Sequence, residues 1–347
     1  MAADASTSGT GTAGGRFVGL AGAGPAAGPD GPAGCESEER IVVGAGGHRY
    51  EVVHDWLEPP DHIRWGDTHA LAQDSRGRIY IGHTVHPTSP TPDAIVVFDE
   101  SGRYLTSWGS EFRGGSHGIE LRRENGAEFL YHCDINRRLV VKTTLDGSVV
   151  WEKGKPEEAG VYGPDDPFIP TNVAFAPTGD FYVTDGYGSD YIHQYNLAGE
   201  YIRTFGGKGS EPGKVLNAHG IGVDPRGPEP RLVVADRANS RLQYFTLDGR
   251  HLGFVTEGMR QPCHFSFRGD LMLVPDLSSV VTLLDRDNRV VAHLGDGHPT
   301  NLRDRPRAEF IPGKFIHPHH AMFLRNGDIL VVEWVPIGRI TLLKRAR

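Results

Sequence analysis

Six segments of this chain share one grammar: a short strand, a turn rich in Gly, Asp and Arg, and a second apolar strand. They read THALAQDSRGRIYIG, SHGIELRRENGAEFLYH, PTNVAFAPTGDFYVTD, AHGIGVDPRGPEPRLVVAD, CHFSFRGDLMLVPD and HHAMFLRNGDILVVE. The unit recurs roughly every fifty residues, a period that signals a solenoid, a propeller or an array. Aligned on their turns, the segments place His69, His117, Thr171, His219, His264 and His319 at one early position.

Each unit reads as four short β-strands. In the fourth, His219–Asp224 and Arg231–Ala235 are strands around a proline-rich turn, Asn239–Phe245 alternates, and Asp248-Gly249 turns into His251–Val255. No helical periodicity competes after residue 45. The sixth unit runs out at Arg339–Lys344, which is only its third strand. Arg49–Trp56 (RYEVVHDW) precedes the first unit and has no blade of its own. Lending that strand to the last blade closes the ring and removes two open edges. The expectation is an all-β, six-bladed β-propeller over residues 46–347, closed by an N-terminal strand. An open β-solenoid is the alternative, although its rungs are usually much shorter.

At 347 residues the chain suits one propeller, and 38% hydrophobic with 23% charged residues suits a soluble globular protein. A net charge of -8 gives nucleic-acid phosphates no basic face, and no apolar run is long enough to span a membrane. Residues 1–45, Gly/Ala/Ser/Pro-rich up to Glu39, read as a disordered tail rather than a signal peptide. Three cysteines (Cys35, Cys133, Cys263) with no CxxC spacing favour a reduced, cytoplasmic chain, with a Cys133–Cys263 bond as the alternative.

The innermost strand of each blade lines the central channel, so the repeated histidines converge on one axis. A single such histidine is more simply a strand residue bonded to a neighbouring carbonyl. A channel full of imidazoles without partners is hard to satisfy, and a metal ion resolves it. Three imidazoles with one open position form the ligand set of a catalytic zinc, and iron or copper also accepts them.

The motifs SHGI, YVTDGYGSDYIHQYNLAGEYIRTFGGKGSEPGKVLNAHGIGV, LVVADRANSRLQYF and PHHAMFLRNGDILVV resemble the peptidyl-α-hydroxyglycine α-amidating lyases, within the wider NHL-repeat propellers. The likeness runs over residues 60–345 and is densest over 170–245. It implies that His117, His219 and His319 are zinc ligands, that Tyr187 of TDGYGSD is the catalytic base, and that Arg237 of ADRANSR faces the active site. The reaction it implies cleaves a carbinolamide into an amide and glyoxylate.

Two departures from that pattern bear on function. The family carries an arginine where this chain reads GHTVHPTSP, so His83 or His86 would have to stand in at the substrate. The family's calcium-holding acid after the last zinc histidine is here His320, which counts against calcium. Without an export signal, a small carbinolamide or hydroxy-acid-like metabolite is expected as substrate rather than a secreted peptide. His69 and His264 are expected beside the ligands, as supporting residues or further ligands. His320 is expected to point away from His319, because side chains alternate along a strand. Asp134, Asp185, Asp236, Asp276 and Glu333 recur at the end of the second strand and read as scaffold, their carboxylates bonding loop N–H groups. Two other functions compete with the lyase: a non-enzymatic NHL propeller that binds a protein or carbohydrate, and a histidine-ligated iron or copper redox enzyme.

Overall fold

The computed structural model describes residues 40–346, so the tail expected up to Glu39 lies outside them. Blade 1 comprises Thr68–Gln73, Ile79–His83, Ile95–Phe98 and Tyr104–Trp108. Blade 2 comprises Ser116–Glu124, Ala127–Asp134, Leu139–Thr144 and Val149–Lys153. Blade 3 comprises Asn172–Phe175, Phe181–Thr184, Tyr191–Tyr195 and Tyr201–Gly206. Blade 4 comprises Ala218–Asp224, Arg231–Asp236, Arg241–Phe245 and His251–Val255. Blade 5 comprises Ser266–Arg268, Leu271–Asp276, Val280–Leu284 and Val290–Leu294. Blade 6 comprises Pro318–Phe323, Ile329–Glu333 and Arg339–Arg345.

The N-terminal strand closes blade 6 as expected: His48–Val53 pairs antiparallel with Arg339–Arg345, Tyr50 opposite Arg345 and Val53 opposite Leu342. A further strand, Val42–Ala45, hairpins onto its outer edge with Val42 opposite Glu51. The sheet therefore begins ahead of residue 46. The glycines here belong to a hairpin rather than a tail: Gly46 and Gly47 form its turn and Gly44 lies in its first strand. Gly44 has φ +90°, and a Cβ there would stand 2.0 Å from the His48 carbonyl oxygen.

Sequence pattern follows depth in the ring. The middle strands are covered on both faces by neighbouring blades and are largely apolar, as in IYIGH and IVVF of blade 1, every residue buried. The outermost strands alternate, as in His251–Val255. Six apolar clusters lie one at each seam between blades. At the closing seam, Leu71, Ile79, Val96 and Phe98 of blade 1 meet Leu330, Val332, Ile340 and Leu342 of blade 6. Each such side chain contributes about 1.5–3 kcal/mol on burial.

The recurrent acids act as scaffold. Asp276 accepts the N–H groups of Arg260, Gln261 and Ser278 at 2.8 Å, and Asp134 those of Asn136 and Arg137 at 3.0 Å. Asp185 accepts from Ile169, Asp236 from Leu216, and Glu333 from Ile316.

Three histidines away from the axis give a pH prediction. Burial depresses His83 to about 4 and both His132 and His193 to about 3. In the unfolded chain they would protonate near 6.5. Below that pH the unfolded state takes up protons that the folded state refuses, so stability is lost as pH falls. A thermal melt series should be flat from pH 8 to 7 and decline from about 6 to 4. A melting temperature constant down to pH 4 would contradict this.

Candidate metal centre on the propeller axis

Four inner strands carry a β-bulge at the axial histidine. The register shifts fall between Thr68 and Ala70, Ser116 and Gly118, Ala218 and Ile221, and Pro318 and His320. A bulge breaks strict alternation and re-aims a side chain. Here it turns His69, His117, His219 and His319 into the channel, where all four are buried.

Three of them are anchored alike. His117 Nδ1 lies 2.8 Å from Thr171 O, His219 Nδ1 2.9 Å from Cys263 O, and His319 Nδ1 2.7 Å from His69 O. A carbonyl only accepts, so each Nδ1 carries the proton and each Nε2 keeps its lone pair. The anchored rings come from blades 2, 4 and 6, and their carbonyls from blades 3, 5 and 1. Their centroids form a near-equilateral triangle with sides of 4.8, 4.6 and 4.9 Å. Gly118 and Gly220 permit the approach of neighbouring backbone, since a Cβ would stand 2.6 Å from Thr171 O and 2.2 Å from Cys263 O respectively.

Tyr187 caps the triangle. Its Oη is 3.1 Å from both His117 Nε2 and His219 Nε2, and Arg237 Nη2 donates to it at 3.2 Å. The Gly186-Tyr187-Gly188 loop reaches this point because it lies against neighbouring backbone and carboxylate. A Cβ on Gly186 would stand 2.0 Å from Ala218 O, and one on Gly188 2.0 Å from Asp185 Oδ1. Arg237 is free for this contact because Asp236 pairs with Arg241 instead, at 2.5 Å.

The donor set fits a cation. The two Nε2 lone pairs and the phenol oxygen share the single phenolic proton, and His319 Nε2 is buried with no partner among the described residues. Burial first, then mutual repulsion and the Arg237 charge, hold His219 and His319 far below the ordinary imidazole range. His117 lies at about 3, mainly through burial. All three are therefore neutral, the form that binds metal. Burial pushes the Tyr187 phenol up, and Arg237 opposes it.

His69 joins this centre. Its ring is 4.5 Å from His319 and 5.2 Å from His117, and donor nitrogens of the three lie within 4.8 Å of one another. Unlike the other three, its Nδ1 is buried without a partner among the described residues.

Other expected residues sit elsewhere. His264 is not in the ring. Pro262 bridges Asp276 just as Pro318 pairs with Glu333 and Ala218 with Asp236, so Cys263 is the blade 5 counterpart of His319 and His219. Counting back from the turn slipped by one residue, because the first strand of blade 5 is only three residues long. His320 does not turn away: the bulge beside it leaves His319 and His320 lining one cavity. His83 is scaffold rather than substrate contact. Its Nδ1 accepts from Gly66 and Val85 N–H and its Nε2 donates to Asp93 O, which exhausts the ring. His86 is held in a loop by Thr88.

Sequence reading missed Arg303. It lies in the long connection between blades 5 and 6, pairs with Asp67 at 2.8 Å, and stacks 3.9 Å above Trp334. It comes from a segment outside the repeat, and its charge is a minor contributor to holding His69 below the ordinary imidazole range, after burial, His117 and Arg237. Cys133 and Cys263 are buried and unpaired.

No family model matches the chain. NHL repeat-containing protein 3 of Homo sapiens is 28% identical over 66% of this chain and 67% of its own length. The peptidyl-glycine alpha-amidating monooxygenase of Mus musculus is 35% identical over 28% of this chain, a match spanning only 10% of that larger protein. Among solved structures, a streptogramin B lyase superposes with a TM-score of 0.55 at 13% identity, covering 84% of this chain and 97% of that one. Virginiamycin B lyase from Staphylococcus aureus gives 0.53 at 13% identity, covering 85% and 99%. At such identity the two lyases speak for the fold alone. The chain is a six-bladed β-propeller with homologues among the NHL-repeat proteins.

Proposed function

We propose that this protein is a metal-dependent lyase, with zinc as the metal, acting on a small carbinolamide or hydroxy-acid-type substrate at the mouth of the channel. The observation that carries the reading is the triangle of carbonyl-anchored histidines beneath the Tyr187–Arg237 pair. The partial match to an amidating monooxygenase supports it. Zinc bound by His117, His219 and His319 would act as a Lewis acid on the substrate's hydroxyl or carboxylate oxygen. Once it has given up its own proton, Tyr187 Oη would take the hydroxyl proton and return it to the amide nitrogen as the C–N bond breaks and the C=O bond forms. Arg237 holds that oxygen at 3.2 Å and favours its anionic form. Arg237 suits a substrate carboxylate as well. His69, a fourth imidazole without an anchor, is the observation that favours a second reading, iron or copper redox chemistry. A cytoplasmic location agrees with the two unpaired cysteines.

Tyr187→Phe tests the chemical step. It should retain the metal while glyoxylate release from α-hydroxyglycine-type carbinolamides falls about 10²–10⁴-fold, the usual worth of a positioned acid–base group. Release at the wild-type rate would remove Tyr187 from the mechanism. No release by the metal-loaded wild type would contradict the lyase reading.

A further inference from the structure

Further along the same channel stands a second set of donors that the histidine triangle does not use. Glu120 follows His117 on the blade 2 strand, His264 follows Cys263 on blade 5, and His320 follows His319 on blade 6. One donor atom from each lies within 4.8 Å of the others. His264 Nε2 is 2.6 Å from Glu120 Oε1, and the His264 and His320 ring centroids lie 3.5 Å apart with the planes tilted by 34°. Asn172 Nδ2 donates to the same Glu120 oxygen at 3.3 Å and fixes the carboxylate.

Two features of this group point to a ligand. His264 Nδ1 is buried with no partner among the described residues, on a side chain only 9% exposed. An unmet buried donor or acceptor costs about 1–3 kcal/mol. His264, His320 and Asn172 also line one side of an enclosed space of about 10 Å³, room for a single ion or water, whose other side is formed by His69, His117, His219 and His319. Glu120, with a quarter of its side chain exposed, leaves an entry path.

We infer that Glu120, His264 and His320 form a second divalent-metal site, separate from the His117–His219–His319 centre. One carboxylate oxygen and two imidazole nitrogens suit zinc, manganese or iron(II), whereas calcium takes oxygen ligands throughout. The ligands come from blades 2, 5 and 6, so an ion here ties blade 2 to the neighbouring blades 5 and 6 across the axis. It therefore stabilises the fold by mass action.

The test is metal stoichiometry and thermal stability of the full chain, stripped with chelator and re-equilibrated with Zn²⁺. The wild type should bind two equivalents. Glu120→Gln, close in shape to the native side chain, and His264→Asn should each bind one and lose part of the zinc-induced rise in melting temperature. His219→Ala should lose the other equivalent. One equivalent in wild type that survives Glu120→Gln and His264→Asn, with both variants folded by circular dichroism, would overturn the inference. One equivalent lost in Glu120→Gln but retained in His219→Ala would support it while removing the metal from the proposed active centre.

Discussion

Replacing His219 by alanine is expected to abolish metal binding at the centre and to lower activity by about three orders of magnitude. The ring is one corner of the triangle, and its loss leaves His117 and His319 with only the unanchored His69 as a third imidazole, a set that lacks the carbonyl-fixed geometry of the native ligands. Lewis-acid stabilisation is worth several kcal/mol, and about 1.4 kcal/mol corresponds to a factor of ten in rate. His219 also contacts Tyr187 Oη at 3.1 Å, so the variant loosens the phenol as well as the metal. Elemental analysis and single-turnover kinetics on the same preparation check both effects. Unchanged metal content with full activity would place the chemistry elsewhere.

The largest stability effect is expected at Arg339, at the closure of the ring. Its side chain is 2% exposed and its partner Glu333 is fully buried. The guanidinium bonds both Glu333 oxygens and donates to Lys314 O at 2.8 Å. Glu333 in turn accepts the N–H groups of Ile316 and His317. Arg339 begins the third strand of blade 6, the strand that receives His48–Val53. Arg339→Ala leaves a buried carboxylate without its cation, which costs about 3–5 kcal/mol. That is a large share of the roughly 5–15 kcal/mol that holds a domain folded. Urea unfolding should show the midpoint falling by the corresponding amount. A loss under about 1 kcal/mol would mean that closure does not depend on this pair.

The blades and the closing strand were legible because a fifty-residue repeat of turns and apolar strands fixes the unit, and an orphan strand at one end matches a missing strand at the other. The three anchored histidines were legible by position and by resemblance. What failed depended on backbone geometry that periodicity does not carry. His264 was assigned to the ring because the short first hairpin of blade 5 shifts the count from the turn. Only the pairing of Pro262 with Asp276 places Cys263 at that position. The alternation rule misplaced His320 because the bulge beside it breaks alternation. His83 looked available until its three hydrogen bonds were in view. Arg303 carried no signal, since it lies outside the repeat.

The central claim is that one metal ion sits on the axis among His117, His219 and His319. Anomalous diffraction from crystals of the protein as purified tests it most directly. A peak about 2.0–2.1 Å from the three Nε2 atoms, beneath Tyr187, is the predicted result. An axis with no anomalous density, or density held by none of these three nitrogens, would contradict it.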